Sequence, residues 1–281
     1  MTKLANAEGR AALIVGDRLV DVERRSDRRF SSDPMDALAH WDDVREWAAG
    51  LDPGDGEVAV SDAVLGPCSP RPTQVFGIGL NYRSHAEESN MELPPSPAVF
   101  TKFPSCLAGP NAEVRLPSQF VDYEAELVAV VGRGGIHIAE DRALDHVAGY
   151  CAGQDYSERM VQLAVKPPQF SMGKSYPAFG PIGPAVVSLD EIADPNDLAL
   201  ACDVSGERRQ ETRTNDLIFS VPELVAYLSG ICELRPGDVI FTGTPAGVGM
   251  GCQPPKFLKD GDVVVTTIEG VGMLENRCVA G

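Results

Sequence analysis

Little in this chain would tie it to nucleic acid, to a membrane or to an oxidising compartment. Basic residues are scarce: 24 Lys and Arg stand against 41 Asp and Glu, for a formal net charge of -17. Phosphate backbones are held by Lys and Arg that displace counterions, so the charge argues against a nucleic-acid partner. An anionic small molecule would need the few basic residues, or a metal, concentrated at one site. No run of eighteen apolar residues occurs and the N-terminus has no long apolar core, so neither a membrane span nor secretion is expected. The seven cysteines form no C-x-x-C pair, are odd in number, and none lies near a His at zinc-finger spacing. They are expected to be reduced, mostly buried thiols of a cytoplasmic protein. Internal repeats and low-complexity tracts are also lacking.

What is there reads as β-rich. Ala11–Val15 and Arg18–Val22 flank Gly16-Asp17 as a hairpin, and Asp33-Pro34 opens a helix expected to run to Gly50. A Pro- and Gly-rich loop from Gly66 to Pro72 suggests a boundary near residue 70, with a small N-terminal α/β extension (1–70) before a larger domain (71–281). Beyond it, short β runs are expected at 74–79, 98–102, 126–132, 184–189, 198–204, 238–242 and 262–268. Helices are expected at 81–90, 156–165 and 221–230, the last with Ser220 and Glu223 as a capping box.

The chemistry centres on Glu124-Ala125-Glu126 in an apolar run. Strand side chains repeat every second residue, which places two acids on one face about 7 Å apart. Buried like charges need a cation, and Asp155 is the candidate third acid. Three oxygen donors without Cys or His suit Mg²⁺ or Mn²⁺ rather than zinc. The competing reading is the wet face of an edge strand. Asp122 obeys the same alternation as a possible fourth ligand. His85 and Glu88, at i and i+3 on a helix, fit a carboxylate-oriented general base or an ordinary surface pair. Arg83, Lys102, Arg159 and Lys174 are the cations that could meet an anion. Arg159 could equally pair with Asp155 four residues earlier. The glycine-rich stretches at Gly77–Tyr82 and Gly243–Gly251 lack the third glycine of a dinucleotide fingerprint and the Lys-Ser/Thr of a P-loop, respectively.

Several ordered segments together resemble the fumarylacetoacetate hydrolase family from about Gln74 to Val279. They include Gly79–Glu88, Asp122–Leu127, Gly149-Tyr150 with Gln154-Asp155, Gly173-Lys174, Arg235–Gly249 and Leu258–Asp262 with Ile268–Gly272. The resemblance implies an α+β, β-rich mixed β-roll, usually a homodimer. It implies Mg²⁺ or Mn²⁺ on Glu124, Glu126 and Asp155, a His85–Glu88 dyad, and a lysine, Lys174, near the metal. Substrate contacts are implied for Lys102, Arg159, Gln210 and Thr244, with Arg83 a further candidate. Departures at Leu80, Gln154 and Ser175-Tyr176-Pro177 bear on substrate recognition and leave the metal motif intact.

The expected activity is hydrolysis of a C-C bond in a 2,4-dioxo acid of the acylpyruvate type. His85 would activate water, with Lys102 or Gln210 at the oxyanion. The rivals use the same enolate without water: oxaloacetate-type decarboxylation, or keto-enol and double-bond isomerisation of a hydroxydienedioate. A catalytically silent metal-binding protein is the remaining class.

Overall fold

The computed structural model describes residues 2–281. A hairpin of Arg10–Val15 and Arg18–Asp21 forms as the alternation requires, with Ile14 opposite Leu19. The preceding strand, Lys3–Ala7, pairs with this hairpin on one side and with Gly180–Val187 on the other. The first seventy residues thus continue a large mixed sheet. From Gly180–Val187 that sheet proceeds through Val147–Gln154, Ala125–Val131, Val239–Phe241 and Val75–Gly79 to Ala98–Thr101. A second sheet of five strands runs Glu207–Arg213, Ala199–Val204, Val263–Ile268, Gly272–Ala280 and Val114–Leu116. The fold is α+β and β-rich, as expected.

Ala125–Val131 is an interior strand. It pairs with Val147–Gln154 on one side and Val239–Phe241 on the other, and every residue in it is buried. Its alternation feeds two cores. Leu127, Ala129 and Val131 pack into the core that contains Leu200, Val264 and Leu274 of the second sheet. Val128 and Val130 join Leu4, Leu13, Leu38 and Trp41 on the opposite face. The wet edge-strand reading of the two glutamates therefore falls.

Three helices differ from expectation. The 34–50 segment breaks at His40, whose backbone leaves helical geometry (φ -112°, ψ 33°), giving Pro34–Ala39 and Trp41–Ala48. That break lets Leu38, Trp41 and Val44 all enter one core. The 81–90 helix shortens to Arg83–Glu88, because the Asn81 amide instead donates to the Phe219 and Thr242 carbonyls and accepts from Phe219 N-H. The 156–165 helix shrinks to Arg159–Gln162, since Ser157–Glu158 pairs as a strand with Val121–Asp122. Val221–Ser229 forms as expected, with both bonds of its capping box made. The cysteines are free thiols, mostly buried. Among the described residues, no helix is long and apolar enough to cross a membrane.

Candidate active site

The pairing of Ala125–Val131 with Val147–Gln154 builds the site at its open end. Ala125 lies opposite Gln154, so the residues just beyond, Glu124 and Asp155, become neighbours, and Asp155 N-H donates to the Glu124 carbonyl at 2.9 Å. Gln154 locks this end: its Oε1 accepts from Glu124 N-H at 2.9 Å and its Nε2 donates to Thr266 Oγ1 at 2.8 Å. Close approach demands glycine in the partner strand. A Cβ on Gly149 would lie 2.0 Å from the Val187 carbonyl oxygen. The result is that Glu124, Glu126 and Asp155 are all buried, with ligating oxygens within 4.8 Å of one another.

Buried cations surround the trio. Lys174 Nζ donates to Glu124 Oε2 at 2.7 Å, Asp155 Oδ2 at 2.6 Å and Ser157 Oγ at 2.8 Å. Lys102 Nζ donates to Asp155 Oδ1 at 2.6 Å and to the Lys174 and Phe179 carbonyls. Arg159 does not take the i,i+4 option. It grips Asp122 Oδ2 through Nε and Nη2 at 2.9 and 2.7 Å and reaches Glu124 Oε1 at 2.7 Å. Asp122 is further occupied by the Gly249 and Met250 N-H groups. It anchors the arginine and that glycine loop, which leaves it outside the acid trio.

The electrostatics single out Glu126. Burial raises Glu124, but the Lys174 ammonium and Arg159 guanidinium outweigh it and hold the carboxyl below its ordinary range. Lys174 is held protonated, because Asp155 and Glu124 overcome the cost of its burial. Glu126 is pushed well above the usual carboxylate range by burial, with Asp155 and Glu124 adding repulsion against only the Gly243 N-H and a more distant Lys174. Four buried carboxyls (Asp122, Glu124, Glu126, Asp155) face three buried cations (Lys102, Arg159, Lys174), and Glu126 is the one left without an ion-pair partner. Carboxylate oxygens have more than one lone pair, so an ion pair leaves each able to bind a cation as well. An all-oxygen, acid-rich, buried donor set fits a hard divalent ion.

Glu124, Arg159, Lys174 and Thr244 open on a cavity of about 600 Å³ that His85 and Glu88 also line. His85 Nδ1 lies 3.3 Å from Glu88 Oε2, and Glu88 Oε1 accepts from Gly247 N-H at 3.0 Å. The glycine loop therefore joins the dyad to Asp122 and the acid cluster. Thr244 and Gln210 touch each other: Gln210 Nε2 donates to Thr244 Oγ1 at 2.8 Å while Oε1 accepts from Ala125 N-H. Gln210 and Lys102 are buried behind the cavity and absent from its lining, and Arg83 is exposed outside it. Sequence reasoning missed Gln162, which lines the cavity and accepts from Arg159 Nη1 at 2.8 Å. Its i+3 spacing from Arg159 was the available signal. A larger cleft of about 930 Å³ beside Trp41 and Arg133 shares no residue with this site.

A β-rich fold that sets a buried three-acid cluster at the wall of a cavity lined by a His-Glu pair defines an enzyme site of the carboxylate-metal kind. The family model described as fumarylacetoacetate (FAA) hydrolase C-terminal matches residues 74–279. Human mitochondrial oxaloacetate tautomerase FAHD2A is 44% identical over 211 residues, 74% of this chain and 67% of its own length. A crystal structure from Mycobacterium smegmatis is 50% identical and superposes with a TM-score of 0.95 over 99% of both chains. The maleylpyruvate hydrolase of Sphingobium sp. SYK-6, solved with manganese(II) and pyruvate, is 26% identical with a TM-score of 0.83 over 99% of each chain. The chain belongs to the fumarylacetoacetate hydrolase family.

Proposed function

We propose that this protein is a metal-dependent hydrolase that cleaves a C-C bond of an acylpyruvate-type 2,4-dioxo acid. The observation that carries the reading is that the His85–Glu88 pair lines the same cavity as Glu124, the one member of the acid trio that reaches it, with Asp155 and Glu126 buried directly behind. Mg²⁺ or Mn²⁺ held by Glu124, Glu126 and Asp155 would supply Lewis-acid polarisation of the substrate's 2-oxo acid head. Manganese and pyruvate in the Sphingobium relative support that assignment.

The chain's own residues supply the rest. Glu88, fixed by Gly247 N-H, orients the His85 ring so that the imidazole can take a proton from water. The hydroxide oxygen adds to the distal carbonyl. The C-C bond then breaks with its electron pair passing to the pyruvate fragment, and the proton on His85 returns to that carbon. One water yields one carboxylic acid and pyruvate. Lys174, held protonated by Glu124 and Asp155, keeps the head end of the cavity positive. Lys102 acts from behind, by fixing Asp155.

The 44% identity to an oxaloacetate tautomerase favours one second reading, keto-enol conversion, in which His85 moves a proton between carbon and oxygen without water. Assaying acylpyruvates and oxaloacetate with Mg²⁺ or Mn²⁺ separates them. Release of pyruvate from an acylpyruvate, lost in His85→Ala, supports hydrolysis. Enol-keto conversion of oxaloacetate with every acylpyruvate left intact refutes it.

A further inference from the structure

Charge is distributed unevenly along the cavity. Among the described residues, its lining cations are Arg159 and Lys174, besides the histidine of the dyad, and both are matched by buried carboxylates at the head end. The remaining charged lining is acidic: Glu88 beside His85, and Glu92. Arg83, the sequence's other candidate for an anion, is exposed and outside the lining.

The apolar wall begins directly beside the charged end. Lys174 Nζ lies 5.2 Å from the centroid of the Phe100 ring, and Phe100 meets Phe170 edge-on at 5.6 Å. Leu80, Met91, Leu163 and Met250 line the same space. A cavity of about 600 Å³ is far larger than a three-carbon acid needs and lies in the range of drug-sized ligands.

Charge count limits the ligand as well. With a divalent ion bound and Glu126 ionised as one of its ligands, four buried carboxylates, three buried cations and the ion would leave a single positive charge. That matches one carboxylate. A second carboxylate would share the cavity with Glu88 and Glu92, and the lining offers no Lys or Arg beyond the already paired Arg159 and Lys174 to meet it.

Resting on the reading that a 2-oxo acid head binds at the acid cluster, we infer that the substrate is a monocarboxylic 2-oxo acid with an uncharged, apolar tail. Dioates are disfavoured by the acidic lining. Each tail methylene buried should tighten binding about fourfold, from ~0.8 kcal/mol per methylene.

The test compares 2-oxooctanoate with 2-oxooctanedioate, equal in length, by calorimetry on Mn²⁺-loaded protein. The monoacid is expected to bind at least tenfold more tightly, and Glu92→Lys, an exposed change, is expected to narrow the gap by strengthening the dioate. Equal or tighter dioate binding, or a gap indifferent to Glu92→Lys, overturns the inference. Binding of neither acid overturns it together with the head-binding reading. A monoacid preference in a protein that hydrolyses no acylpyruvate sinks the hydrolase reading alone.

Discussion

Replacing Glu126 with Gln should make the metal-free protein more stable and the metal-loaded protein less so. Glu126 is 1% exposed, its one direct hydrogen bond comes from Gly243 N-H, and its two acidic neighbours already hold the available cations. Gln keeps the shape and the acceptor while removing the charge. Removing an uncompensated buried charge should stabilise by ~1–3 kcal/mol, which for a chain of this size raises Tm by roughly 2–5 °C. The sign with pH follows from the raised carboxyl. Its stabilising contribution is complete below the ordinary 4.5 and is lost as pH rises through the elevated folded value, so the variant's advantage should grow toward neutrality and vanish in acid. Saturating Mn²⁺ reverses the order: the wild type gains ~2.7 kcal/mol at a hundredfold excess over Kd, and the variant gains little. Thermal melts in chelator and in Mn²⁺ at two pH values measure all four states. A variant less stable in chelator, or one still stabilised by Mn²⁺ as the wild type is, would refute the charge argument.

The remaining predictions follow from single contacts. His85→Ala should lower acylpyruvate hydrolysis by ~10²–10⁴-fold while leaving Mn²⁺ stabilisation unchanged, since His85 contributes a proton transfer and is not among the acids. Glu124→Gln should cost ~3–5 kcal/mol in urea unfolding, because it strips partial compensation from buried Arg159 and Lys174. Glu124 is depressed in the fold, so its contribution in chelated wild type is present above 4.5 and drains away as pH falls toward about 2, visible as a falling urea midpoint that Glu124→Gln lacks. Ser220→Ala should cost ~1 kcal/mol by opening the capping box, with no change in kcat.

How much could be read from the residues depended on whether the signal was local. The capping box at Ser220 and Glu223 and the Asp33-Pro34 start are contained within a few residues, and both formed. The Glu-x-Glu alternation is equally local, and Asp155 meets it through the antiparallel partner strand. That partner, Val147–Gln154, was not anticipated, because its glycines and alanines weaken β propensity and serve close approach instead. Local spacing alone puts Arg159 on a long helix, four residues after Asp155. Tertiary pairing with Asp122 overrode that preference and flattened the preceding residues into a strand. The position of Lys102 behind Asp155, and the apolar wall assembled from Leu80, Phe100, Leu163, Phe170 and Met250, join segments far apart in sequence. No periodicity reports such a surface.

Hydrolysis in ¹⁸O-labelled water tests the central claim most directly. An apolar-tailed acylpyruvate is incubated with Mn²⁺-loaded wild type and with His85→Ala, and the released acids are analysed by mass. The account requires one ¹⁸O in the newly formed carboxylate of the acyl fragment, pyruvate in equal amount, and loss of both with His85→Ala. An intact acylpyruvate, or labelled cleavage that proceeds as fast without the His85 imidazole, contradicts it.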